Sequence, residues 1–120
     1  EEADFDLAQS AFDAESYIEA AEMLNRFSQT YPDSPLIAEA HLLRGKAFEA
    51  VEDYKASARA YLESYNTLKS PDALQRLSNS LISLGQMETG CQMLSQVELL
   101  FPGTSYAAAA QSEMQRLQCF

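Results

Sequence analysis

Along the chain, apolar and polar positions fall into three stretches that lie over one another without a gap. They are LAQSAFDAESYIEAAEML from Leu7, RGKAFEAVEDYKASARAY from Arg44 and LSNSLISLGQMETGCQML from Leu77, offset by 37 and then 33 residues. In each, one register position is small (Ala8, Gly45, Ser78) and a second small position follows (Ala20, Ser57, Gly90). A large apolar or aromatic group comes one turn later, at Leu24, Tyr61 and Leu94. Spacings of three, four and seven between apolar positions are those of one helix face. Short turns, AESY, VEDY and LGQM, split each stretch into two helices, and their last residues Tyr17, Tyr54 and Met87 are expected to pack back on the hairpin. The small residues mark where two helices approach closely, and the large ones fill the space beside that contact.

Proline punctuates the same pattern at TYPDSPLIAEA, LKSPDALQ and LFPGTSYAAAA. It lacks an amide proton and clashes with the preceding turn in a helix interior, yet suits the first helical position. Ser34-Pro35 and Ser70-Pro71 therefore read as N-cap followed by first turn, and Thr104 as the cap after the Pro102-Gly103 stop. The spacing predicts seven helices, at about 3–14, 17–31, 35–51, 54–68, 71–84, 87–101 and 104–118. The last has no partner helix and reads as a cap with one polar face, its alanines allowing close packing. Met23, Met87, Met93 and Met114 read as gap-fillers.

A period near 34 with this small-and-large pattern resembles the tetratricopeptide repeat. The resemblance implies an all-α fold, a right-handed superhelical array of three helix hairpins with a C-terminal capping helix, forming a single domain over 1–120. Repeats are expected at about 1–34, 35–70 and 71–103, with the cap at 104–118. The segment SPDALQRLSNSLISLGQMETGCQMLSQVELLFPGT, taken with YPDSPLIAEAHLLRG, looks like the C-terminal repeat domain of the YbgF (CpoB) family of the bacterial Tol-Pal cell-envelope system. Arg44 before Gly45, where Leu is usual, and His41 in place of a common aromatic depart from that pattern. The resemblance implies a periplasmic adaptor that binds TolA and couples outer-membrane constriction to septal peptidoglycan synthesis, with a peptidoglycan synthase as a further partner. It also implies a signal peptide and a trimerising coiled coil upstream, and the start at Glu1 rather than Met is read as the loss of such a segment. Without that coiled coil this chain is expected to be monomeric. The alternative is a structural subunit of an outer-membrane protein assembly complex, whose lipoproteins carry repeats similar to YPDSPLIAEA.

Charge narrows the partner class. Eighteen acidic and eight basic residues leave a net charge of -10, with no Lys/Arg run, which argues against nucleic acid and anionic lipid. No run of about 18 apolar residues occurs, so no membrane insertion is expected. The acidity is uneven: residues 1–34 hold nine acidic groups against Arg26 alone, residues 35–70 balance, and residues 71–120 carry -2. Two readings stand open for the patch around Asp13, Glu15, Glu19 and Glu22: a solvated helix face, or an electrostatic landing site for a Lys-rich partner.

Cys91 and Cys119 are the only cysteines, in no zinc or redox spacing. If helices 87–101 and 104–118 run antiparallel, Cys91 lies about 15 Å from the turn and Cys119 about 22 Å, at about 1.5 Å per residue. Helix crossing or fraying at the end would close that mismatch. A disulfide would staple the cap to the array and suit an oxidising compartment; the other reading is a core Cys91 and a free Cys119.

Catalysis would need a nucleophile with a base, paired carboxylates in a pocket, a metal cluster or a phosphate loop. None is legible: His41 stands alone, the serines lack a base, and no cofactor motif occurs. The chain is read as a binding protein without a catalytic, metal or cofactor site. In arrays of this type the first helix of each hairpin lines a concave face. The expected groove residues are Phe5, Gln9, Phe12 and Asp13, then Leu42, Lys46 and Glu49, then Gln75, Asn79, Ile82 and Ser83. Phe5 and Phe12 with Leu42 are expected to form an exposed apolar patch able to hold a peptide, unless Phe5 only covers the N-terminal edge.

Overall fold

Seven helices run through residues 1–119, the part of the chain that the computed structural model describes. They are α1 (Glu2–Asp13), α2 (Tyr17–Thr30), α3 (Ile37–Ala50), α4 (Tyr54–Thr67), α5 (Pro71–Ser83), α6 (Met87–Leu100) and α7 (Ser105–Leu117). Each packs on the next in sequence, so α1–α2, α3–α4 and α5–α6 form three stacked hairpins and α7 lies on α6. The all-α array of hairpins with a terminal helix is the architecture that the repeat implies. It measures 44 × 26 × 20 Å.

Side-chain caps set two of the helix starts as the sequence predicts. Ser70 Oγ accepts the Ala73 amide at 3.1 Å ahead of Pro71, and Thr104 Oγ1 accepts the Ala107 amide at 3.1 Å. Caps of this kind are worth about 1 kcal/mol each. Ser34 behaves differently. Its hydroxyl is buried, accepts the Leu36 amide at 3.1 Å and donates to Glu1 Oε1 at 2.6 Å, while its carbonyl accepts the Ile37 amide at 3.0 Å. Residues 34–37 thus make a tight turn, and α3 starts at Ile37 instead of residue 35. The hydroxyl that would have capped the helix ties the N-terminus to this loop.

The three hairpin turns share one backbone solution. Glu15, Glu52 and Gly85, equivalent in the repeat, have φ of 64°, 61° and 95°. In each turn the left-handed residue donates its amide three residues back and the next residue donates five back: Glu15 to Phe12 and Ser16 to Ala11, Glu52 to Glu49 and Asp53 to Phe48, Gly85 to Ile82 and Gln86 to Leu81. This Schellman arrangement satisfies carbonyls that the helix end would leave unpaired. Only the third turn has the glycine that the conformation favours.

The repeated small and large positions meet inside. All nine are buried, and Leu24, Tyr61 and Leu94 are each 0% exposed. A Cβ on Gly45 would fall 2.5 Å from Tyr61 Cε1, so the close approach of α3 to α4 requires glycine there. Serine replaces alanine at several core positions without leaving an unpaired hydroxyl. Ser57 and Ser80 bond at 2.8 Å across α4 and α5, and Ser64 donates to the Ala38 carbonyl at 2.9 Å. Of the turn residues, Tyr17 packs edge-on against Phe12 with ring centres 5.2 Å apart, whereas Met87 is 43% exposed and does not fill the hairpin.

On α7, Ala107 and Ala110 are buried while Ala108, Ala109, Gln111 and Ser112 are exposed, the one-sided pattern of a cap. Cys91 and Cys119 are bonded, with Cα atoms 5.6 Å apart. α7 ends before Cys119, and a turn contributes to bringing it to Cys91. Gln118 adopts φ 60°, its amide donates to the Gln115 carbonyl and that of Cys119 to Met114, so a fourth Schellman turn folds the last cysteine back toward α6.

Candidate functional site

α1, α3 and α5, the first helices of the three hairpins, meet around a recess of about 260 Å³ lined by Phe12, Lys46, Glu49, Ala50 and Arg76. Phe12 supplies an aromatic wall, half-buried against the α1–α2–α3 core. Glu49 is anchored from below, accepting a 2.6 Å hydrogen bond from the Tyr61 hydroxyl. Burial and that carboxylate hold Tyr61 far above the usual phenol range, so it remains a donor. Arg76 Nε donates to Asp72 Oδ1 at 3.0 Å one turn earlier, which fixes its guanidinium. Among the described residues, no carboxylate lies within ion-pair distance of Lys46. The recess therefore offers an aromatic surface, a held carboxylate and two cations in a chain whose net charge is -10.

Of the expected groove residues, the recess gathers Phe12, Lys46 and Glu49. The apolar patch expected from Phe5, Phe12 and Leu42 is not an exposed one. Phe5 packs edge-on against Phe27 with ring centres 5.9 Å apart, and Leu42 and Ile82 pack against the core of the second and third hairpins. Ile82 fills the space that glycine leaves at Gly90, where a Cβ would lie within 2.4 Å of its Cγ1. A spacing of i, i+7 finds the face but not the helix that covers it. Gln9 donates to Asp13 Oδ1 at 3.0 Å along α1, Gln75 is half-buried, and Asn79 and Ser83 are exposed. Arg76 was not among the expected residues; the signal for it is Asp72 four residues earlier, an i, i+4 pair that pins the arginine beside the groove.

The four acidic-patch residues Asp13, Glu15, Glu19 and Glu22 are all exposed. Glu22 stands apart from the recess, in a cleft of about 330 Å³ between α2 and α3 that Ile18, Arg44 and Phe48 also line. Of the acidic patch, Glu22 therefore lies on a different surface from the recess. His41 and Arg44, the two departures from the family pattern, form a nearly buried cluster. Arg44 Nη2 donates to Glu63 Oε2 at 2.9 Å and lies 3.1 Å from His41 Nδ1, which is 3.3 Å from the same carboxylate. Burial, then the Arg44 charge, lower the His41 pKa below its ordinary 6.5, with Glu63 opposing. Among the described residues no three His, Cys, Asp or Glu side chains gather as metal ligands would, and no helix is long and apolar enough to cross a membrane.

The sequence matches no protein-family model and no curated protein. Among solved structures, the chain is similar to the NMR structure of the second tetratricopeptide domain of the human RPAP3 protein, in complex with the HSP70 peptide SGPTIEEVD. The two share 19% identity over 93% of this chain and 92% of that one, with a TM-score of 0.79. At that identity the likeness shows the fold, a tetratricopeptide-type array.

Proposed function

We propose that this chain is a protein-binding module without catalytic activity and, more narrowly, a periplasmic adaptor of the Tol-Pal type. It would bind TolA and coordinate outer-membrane constriction with septal peptidoglycan synthesis during division. The observation that carries the binding reading is the recess shared by α1, α3 and α5, where Phe12, Lys46, Glu49 and Arg76 converge from three hairpins. That the similar RPAP3 domain was solved with a peptide supports the same use of the array. The Cys91–Cys119 bond suits an oxidising compartment such as the periplasm. The Tol-Pal assignment rests on the sequence resemblance, with units at 1–34, 35–70 and 71–103 and a monomeric chain in isolation.

Calorimetric titration with the periplasmic helical region of TolA, at low and at moderate salt, tests this reading. Saturable binding that weakens with salt is expected, because residues 1–34 carry -8. Charge reversal at Asp13, Glu19 and Glu22 should weaken it and flatten the salt dependence. Absence of binding at high concentration would refute the Tol-Pal reading and shift weight to the outer-membrane assembly subunit.

A further inference from the structure

At the register where the first and third stretches carry Leu7 and Leu77, the second carries Arg44. Leu77 is a core residue, 5% exposed in the cluster that holds Tyr61 and Leu94. The Arg44 side chain is sunk almost as deeply, at 11% exposed. Its Nη2 donates to Glu63, but its Nε is buried without an acceptor. Among the described residues it is the one buried side-chain nitrogen or oxygen left in that condition. A buried donor without a partner destabilises a fold, and a leucine at this register would pack without that penalty. Packing of the array therefore does not account for arginine here.

The same side chain lines the cleft of about 330 Å³ between α2 and α3, with Ile18 and Phe48 as apolar walls and Glu22 and Asn25 beside them. Ile18 is 54% exposed. α2 packs on α1 and α3, and α3 on α2 and α4, so both walls have their neighbours in the array.

Charge and size select the occupant. Glu22, and Glu19 one turn earlier, are exposed and take part in no ion pair among the described residues, whereas the Arg44 charge is answered by Glu63. The mouth of the cleft is thus negative and favours a basic ligand. A second copy of this chain, at -10, would be repelled. A helix, about 10–12 Å across, is too wide for the cleft, whereas an extended segment brings single side chains and unpaired main-chain carbonyls.

We infer that the α2–α3 cleft is a docking site for an extended basic segment of a partner protein. An apolar side chain of that segment sits between Ile18 and Phe48, a lysine or arginine meets Glu22, and a main-chain carbonyl accepts from Arg44. This deepens the protein-binding reading and rests on it, but does not depend on the partner's being TolA. The site is separate from the recess of α1, α3 and α5.

The test is an NMR titration of the isotope-labelled chain with a blocked peptide of alternating lysine and leucine. A peptide of alternating glutamate and leucine is the control. Amide shifts are expected at Ile18, Ala21, Glu22 and Phe48. The Arg44 Nε–Hε signal should shift as it gains an acceptor, while that of Arg76 stays in place. Arg44→Leu separates binding from structure: its urea midpoint should rise while affinity for the lysine peptide falls about tenfold or more. Glu22→Lys, at an exposed position, should weaken binding to a similar extent with helical circular dichroism unchanged, and it decides the matter if Arg44→Leu does not fold. Equal binding of the glutamate peptide, shifts confined to the Lys46–Arg76 recess, no shifts at millimolar peptide, or full affinity in either variant would each overturn the inference. TolA binding with shifts only in the recess would overturn it and leave the proposed function standing. Shifts in the cleft with the lysine peptide and no binding of TolA would do the reverse.

Discussion

At its carboxyl end the array is closed by α7, whose Cys119 is bonded to Cys91 of α6. At its amino end α1 is held by hydroxyl groups of one loop, Tyr31 donating to Asp4 at 2.7 Å and Ser34 to Glu1 at 2.6 Å. The first device is covalent and covers apolar surface; the second is polar and leaves Leu7 in the open. Stacked hairpins always have two unpaired faces, and each must be covered, made polar or kept for a partner. Here the two faces have different answers. The α6–α7 end is held by a covalent staple, and the α1 end by hydroxyl–carboxylate hydrogen bonds.

The largest test of that contrast is to remove the staple. Joining residues 28 positions apart should stabilise the oxidised chain by about 3 to 4 kcal/mol in the chain-entropy account. Urea unfolding of the oxidised protein against Cys91→Ser/Cys119→Ser measures it. A difference below about 1 kcal/mol would mean that α7 packing alone closes the array, and the contrast would disappear. Hydrogen exchange should show α7 amides accelerated in the double variant and α1 amides unchanged.

Ser34→Ala probes the other end. It deletes a buried hydroxyl that both accepts from Leu36 and donates to Glu1, so a loss of about 1 kcal/mol is expected. Exchange should quicken in α1 while α7 is unaffected. A uniform change along the chain would show that the loop does not act locally.

Smaller effects should follow from the turns. Glu15→Gly relieves a left-handed non-glycine residue, a conformation costing roughly 1–2 kcal/mol, against the roughly 0.5–1 kcal/mol by which glycine disfavours folding. A net gain of about 0.5 kcal/mol is expected in the urea midpoint, and Gly85→Ala should change it in the opposite sense. The smallest is the pH response of the middle hairpin. His41 has a folded pKa below its unfolded 6.5, so the unfolded chain binds more protons between those values and stability falls as pH drops through that window. Urea midpoints from about pH 7 down to about pH 5 should show that slope, and His41→Gln should flatten it.

Helix starts at Ser70 and Thr104 were legible because cap and proline chemistry is local. Ser34 carries the same local signal, but its hydroxyl accepts the Leu36 amide two residues on, in a tight turn, and α3 starts later at Ile37. The small and large register positions were legible because helix contact leaves a periodic mark. What covers a face does not: Phe5 and Phe12 read as exposed, although Phe27 and Tyr17 take their edges. The positive φ at Glu15 and Glu52 could have been inferred from their alignment with Gly85. For the candidate site, Lys46, Glu49 and Phe12 came from the helix register, while Arg76 needed the ion pair with Asp72 to be noticed.

Cys119 follows α7, and the turn at Gln118 presents it to Cys91 near the start of α6. With two cysteines there is a single intramolecular pairing and no isomer to sort. The α6–α7 hairpin is thus closed twice, by a chain turn at one end and by a covalent link at the other, so the two helices keep a common boundary even where their contacts loosen.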